Sequence, residues 1–211
     1  MSDLARRLQA ACPCCGFATL EVSTDCDYES CPVCIWENDP VQRDDPSYAG
    51  GANHSSLLQA RENFVRIGAC DPGTINQTRP PRLEEIPVLN NLYWLDQDQR
   101  KAAVRLRKAQ MVAVLRAMRS GEIPALDGCG VISRLSSGLA ESELRTSLLT
   151  FFAIYGEVED FPQGAVREKW SPDALALKDA EWRKYERRMR DRIITACGGA
   201  EKSLRDELNA E

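Results

Sequence analysis

Cys12-Pro13-Cys14-Cys15-Gly16 and Cys31-Pro32-Val33-Cys34 place two C-x2-C pairs fifteen residues apart, the spacing of a four-thiolate metal site. Zinc takes four sulfurs at about 2.3 Å in a tetrahedron, and a two-residue gap lets one tight turn aim two thiolates at a single point. Each pair is therefore half of a coordination sphere. The ligand set is Cys12, Cys15, Cys31 and Cys34, with Zn2+ as the expected cofactor. Cys14 then lies inside the first turn and faces away from the metal, while Cys26 falls at the far end of a hairpin. Cys31-Pro-Val-Cys34 alone also reads as a redox dithiol, but it lacks the preceding strand and following helix of a thioredoxin-like site, and it leaves Cys12 and Cys15 unexplained.

The elements that must position these thiols are short. Ala18 to Val22 and Asp25 to Tyr28 alternate enough to form the two strands of a hairpin that brings the halves together, a zinc ribbon. Proline, glycine and aspartate then crowd the stretch from Ile35 to Asn53, an ordered loop whose Trp36 and Tyr48 cover the ribbon. Ser56 with Gln59 is a capping box opening a helix over Leu57 to Ile67. Pro72, Pro80, Pro81 and Pro87 make a helix-hostile connection. Beyond it, Leu89, Leu92, Tyr93, Trp94 and Leu95 form an apolar patch. Asp96 with Gln99 caps a helix that runs to about Ser120 and stops at Gly121, with Arg100, Lys101, Arg105, Arg107, Lys108, Arg116 and Arg119 on its exposed face. Further helical stripes cover Pro124 to Leu135 and Leu144 to Tyr155, and a last one starts after Ser171 and ends before Gly198-Gly199. The expected fold is α+β, a zinc-ribbon-like hairpin module with one helix over residues 1–71, a proline-rich linker over 72–87, and an α-helical bundle over 88–211.

The order Cys12-Pro-Cys-Cys-Gly16, Thr19-Leu20, Tyr28-Glu29, Cys31-Pro-Val-Cys34, Trp36-Glu37, Asp39-Pro40-Val41-Gln42, Gly50-Gly51-Ala52-Asn53, Ser56-Leu57 and Gly68-Ala69-Cys70 resembles the bacterial CPCC cysteine-rich family. Phe17, Ile35 and Asn38 depart from its usual tyrosine, phenylalanine and aspartate, and none is a proposed ligand. The resemblance implies metal binding without established catalysis and, more loosely, a role beside bacterial toxins. The turn from Gly156 to Trp170 resembles a bacterial domain of unknown function.

Charge narrows the partners. Residues 1–80 hold eleven acids, six arginines and no lysine, whereas residues 81–211 hold 21 charges of each sign. Four thiolates outweigh one divalent cation, so a loaded site adds two negative charges. That end has the wrong sign for nucleic acid, which demands a basic face. It suits a protein partner with a basic cleft, such as a toxin nuclease, with Glu37, Asp39, Asp44, Asp45 and Tyr48 as contact residues. The expected function is a cytoplasmic immunity protein, non-catalytic and membrane-free. The alternative is a zinc-ribbon regulator that binds nucleic acid through the Arg100–Arg119 helix. An enzyme reading uses Glu157 or Glu159 as base and Arg167 as anion clamp, against which Glu157 or Asp160 simply pairs with Arg167. His54, the single histidine, leaves little for hydrolytic chemistry.

Overall fold

The computed structural model describes residues 9–21, 28–87, 92, 95–137, 139, 146–162 and 164–210. Strand β1 (Gln9–Ala11) pairs antiparallel with β2 (Ala18–Glu21), Ala10 opposite Leu20 and Ala11 opposite Ala18, with an irregularity between Ala10 and Ala11. This hairpin differs from the expected one. It flanks the first cysteine pair, because the Cys12–Gly16 turn itself joins the strands. Of the expected partner strand, 25–27 lie outside the described residues, and Tyr28 is a turn residue with φ of 71°. The second pair sits in its own small loop, closed by the bridge between Ser30 and Glu37.

Among the described residues six α-helices follow: α1 (Pro40–Asp44), α2 (Leu57–Ile67), α3 (Gln97–Ser120), α4 (Ala125–Leu135), α5 (Leu149–Gly156) and α6 (Pro172–Ala210). Local chemistry sets most of their ends. Ser56 Oγ accepts from the Gln59 amide at α2, Asp96 and Gln99 cap α3 reciprocally, and Gly68 and Gly121 close those helices in the left-handed region. α1 was missed by periodicity because it is one turn long. Its signal was Asp39-Pro40, an N-cap followed by proline at the first helical position.

Residues 72–87, expected as a linker, contain two 3-10 turns, Pro72–Gln77 and Leu83–Glu85. The buried Glu85 carboxylate holds the Arg79 guanidinium there. Leu89, Tyr93 and Trp94 of the expected apolar patch lie outside the described residues, as does Leu144.

α6 continues through Gly198-Gly199 to Ala210 instead of stopping before them. Each glycine costs a helix about 1 kcal/mol. Cys197, Ala200, Leu204 and Leu208 nonetheless extend the buried face on both sides of the pair, and burying two leucines more than offsets that cost. α6 packs on α3 and α4, and α4 on α5. Buried residues form one contiguous cluster from the cysteines through α2 and α3 to α4, α5 and the second half of α6. Among the described residues no helix is long and apolar enough to cross a membrane.

The α3 stripe is only in part the solvated face that its sequence suggests: Lys101, Arg116 and Arg119 are exposed. Arg107 and Lys108 are buried, with Lys108 Nζ 3.0 Å from Glu207 of α6 and Arg107 donating to the Ser137 carbonyl. Arg105 reaches Glu62 at 2.7 Å, and Arg116 and Arg119 share Glu201.

Two glycine substitutions should act in opposite directions. A Cβ at Gly128 would overlap the Met118 side chain, so Gly128→Ala should destabilise by about 1–3 kcal/mol. Gly199 has nothing within 4 Å of that position, so Gly199→Ala should stabilise by about 0.5–1 kcal/mol. Urea titrations of the two variants check the opposite signs.

Candidate metal centre

The two cysteine loops are built alike. In the first, the Cys12 amide donates to the Phe17 carbonyl at 2.8 Å and the Gly16 amide to the Cys12 carbonyl at 2.9 Å. In the second, the Cys31 amide donates to Trp36 at 2.8 Å and the Ile35 amide to Cys31 at 2.7 Å. The residue after each pair takes positive φ, 77° at Gly16 and 65° at Ile35. Glycine enters that region freely, whereas a β-branched side chain is strained there by about 1–3 kcal/mol. Ile35 is held in it by the hydrogen bonds that close the loop.

The loops face each other so that Cys12, Cys15, Cys31 and Cys34 are all buried with their sulfurs within 4.8 Å of one another. Cys12 Sγ lies 3.6 Å from Cys34 Sγ, and Cys15 Sγ lies 3.7 Å from Cys31 Sγ. A disulfide would bring two sulfurs to about 2.05 Å. The edge of a tetrahedron with arms of about 2.3 Å is about 3.8 Å. These separations therefore suit a shared metal ion, and a set of four sulfurs suits zinc or iron.

Three elements outside the loops fix their mutual position. Gln110 of α3 donates from Nε2 to the Cys15 carbonyl at 2.9 Å, and Arg61 of α2 donates from Nε to the Pro13 carbonyl at 2.9 Å. The Cys70 amide donates to the Cys34 carbonyl at 2.7 Å, and the Arg79 amide to Pro32 at 3.1 Å. Phe17 meets Phe64 of α2 edge to face at 6.4 Å. Thr19 was passed over as a functional residue. Its hydroxyl donates to Cys31 Sγ at 3.0 Å, a contact beyond the first set of ligands that sequence spacing alone does not reveal.

The protein groups alone hold the cluster in a mixed protonation state. Burial pushes the Cys12, Cys15 and Cys34 thiols well above their usual range. Hydrogen bonds from Cys12, Cys15 and Cys34, joined by Thr19, hold the Cys31 thiol far below it. Cys14 is fully buried too, and it is not one of the four clustered sulfurs. Cys26 lies outside the described residues. His54 is exposed and is not among the clustered side chains.

The expected contact residues divide. Asp44 and Asp45 are exposed, as is Tyr48 at 44%, and Glu37 is half-buried. Tyr48 is thus no cover for the cysteine loops, whereas Trp36 is fully buried. Asp39 is buried, which corrects its place on the contact surface. It caps α1 through the Val41 and Gln42 amides and accepts from Ala52, and these bonds, Ala52 foremost, lower its pKa. In the turn from Gly156 to Trp170, Arg167 pairs with Asp179 of α6 at 2.7 Å and not with Glu157 or Asp160. Glu157 accepts from Tyr185 instead.

Cys31→Ala should abolish stoichiometric metal binding, while Thr19→Val should retain the metal with an affinity about 10-fold weaker. Competition with a chromophoric chelator separates the two outcomes. Because three of the four thiols hold their protons at neutral pH, loading a divalent ion must release about three protons. Protons compete with metal below the thiol range, so the apparent affinity should fall steeply from pH 8 to pH 6 in the same assay.

Among curated proteins and among solved structures nothing matches the chain. Residues 10–85 match the family model described as Cysteine-rich CPCC, a span that holds both cysteine loops, α1, α2 and the folded connection after them. That end of the chain is similar to the CPCC cysteine-rich family.

Proposed function

We propose that the chain is a non-catalytic zinc-binding protein-interaction module that works in the bacterial cytoplasm as an immunity protein, neutralising a toxin with a basic cleft. The observation that supports the zinc reading is the buried four-sulfur cluster itself. Four cysteines occupy every position of a tetrahedral ion, so none is left open for water or substrate. Zinc is then a structural pin.

The partner reading rests on the loop that the pin steadies. Asp44 and Asp45 project from the end of α1 beside exposed Tyr48, and the loop behind them is fixed by buried polar groups. Gln42 is fully buried, and its Nε2 lies within 3.2 Å of the Tyr48, Asn53 and Ser55 carbonyls. Asn53 in turn exchanges hydrogen bonds with the Glu37 backbone at 2.7 and 2.9 Å. A pre-ordered acidic surface binds a basic cleft with little ordering cost and associates fast. The regulator reading through α3 has less support, since Arg105, Lys108, Arg116 and Arg119 pair with carboxylates within the chain.

Elemental analysis should find one zinc per chain, and iron or no metal would overturn the zinc assignment. The protein should co-elute on gel filtration with the product of the neighbouring gene. Asp44→Lys with Asp45→Lys should slow that association by about 10-fold at low salt while leaving the zinc in place. Separate elution of the two wild-type proteins would sink the immunity role.

A further inference from the structure

The first half of α6 carries a second charged surface, opposite in sign to the acidic loop. From Pro172 to Arg192 the helix has no buried residue; its buried face begins at Ile193. Within that half, Arg183, Lys184, Arg187, Arg188, Arg190 and Arg192 are all exposed. They stand against only Glu186 and Asp191 in the same ten residues.

Residues three and four apart share a helix face. Arg183, Arg187 and Arg190 therefore form one row, and Lys184, Arg188 and Arg192 form the next. Trp182, Tyr185 and Met189 occupy the other side and pack against the core cluster. The cations thus share one broad outward arc.

What separates this arc from an ordinary solvated face is its density of cations, six in ten residues. Several cations elsewhere pair with carboxylates, as in Arg79–Glu85, Arg105–Glu62, Lys108–Glu207, Arg116–Glu201, Arg167–Asp179 and Lys202–Asp206. None of the six α6 cations has a carboxylate within 4 Å among the described residues. Arg188 instead stacks on the Tyr185 ring at 4.9 Å. Like charges at helical spacing repel by a few tenths of a kcal/mol per pair, so the stripe is mildly unfavourable in the free protein. A polyanion would reverse that sign.

We propose that this half of α6 is a docking surface for the phosphate backbone of duplex DNA, engaged from the major groove. The Arg183–Arg190 row spans about 10 Å at about 1.5 Å per residue. A helix is about 10–12 Å across, so with one side packed on the core its outer arc fits a B-form major groove about 12 Å wide, and two rows of cations on that arc face phosphates on either wall. A-form RNA offers only a deep, narrow major groove. The acidic loop does not forbid this, because charges farther than about 8 Å from the contact are screened at physiological salt. Binding of this kind reads shape and charge and not base sequence. It requires neither the zinc assignment nor the immunity reading.

The test is fluorescence anisotropy of a labelled 20-base-pair DNA duplex with the full-length zinc-loaded protein between 50 and 300 mM KCl. Micromolar binding is expected at 50 mM, falling with a log–log salt slope between about −3 and −5, as for three to five neutralised phosphates. Arg183→Glu, Arg187→Glu and Arg190→Glu together should weaken it at least 10-fold. Arg43→Glu, Lys101→Glu and Lys202→Glu together change net charge equally and should weaken it less than threefold. Absence of binding at 50 mM, or an equal loss in the second triple, would overturn the proposal. Duplex RNA of the same length should bind several-fold more weakly, and equal affinity would refute the groove assignment. Circular dichroism and zinc content confirm that both triples remain folded.

Discussion

Four sulfurs held within 4.8 Å of one another, all out of water, are the constraint on which this molecule depends. Four thiolates at such range repel strongly in a medium of low dielectric, and four neutral thiols offer only weak hydrogen bonds. A divalent cation there would resolve the conflict by replacing the protons. The elements that touch the two loops take their position from this cluster. Gln110 shows how directly: its amide sits where a Cβ at residue 16 would be, 2.7 Å away, so glycine serves both the positive φ and the approach of α3. The first cysteine loop thereby sets the seat of α3.

From that helix the constraint passes outward through charge as well as packing. α3 meets α2 through Arg105–Glu62 and α6 through Lys108–Glu207 and the Arg116–Glu201–Arg119 group. The exposed members of these pairs add little stability. Lys108–Glu207 differs because both groups are buried, and leaving either charge unpaired there costs about 3–5 kcal/mol. The pair fixes the sliding register of the second half of α6, while the first half meets the core only through the partly buried Trp182, Tyr185 and Met189.

Much of this was legible in the sequence, for local reasons. The C-x2-C pairs, the Ser56 and Asp96 caps and the Gly68 and Gly121 stops are all short-range signals, and each appears where its chemistry placed it. Failures came where long-range packing overrode local preference. Gly198-Gly199 read as a stop because glycine disfavours helix, yet Leu204 and Leu208 found a buried seat on the far side. Arg107 and Lys108 read as solvated because their neighbours in sequence are charged, while the carbonyl and carboxylate that accept them lie thirty and ninety-nine residues away. The strand expected from Ala18 onward is present as β2, while its partner β1 was not legible because three residues are too few to show alternation.

The two charged surfaces have different physical origins, and this bears on how each can act. The acidic loop is irregular backbone, and irregular backbone holds its shape only when its polar groups are satisfied. Asp39, Gln42 and Asn53 supply that satisfaction from within, anchored beside the cysteine loop through the Glu37 backbone. Disrupting the cysteine cluster would loosen the anchor and hence the presentation of Asp44 and Asp45. The basic arc needs no such anchor, because a helix satisfies its own backbone and its side chains project wherever the core leaves them. One surface thus depends on the cysteine cluster and the other does not.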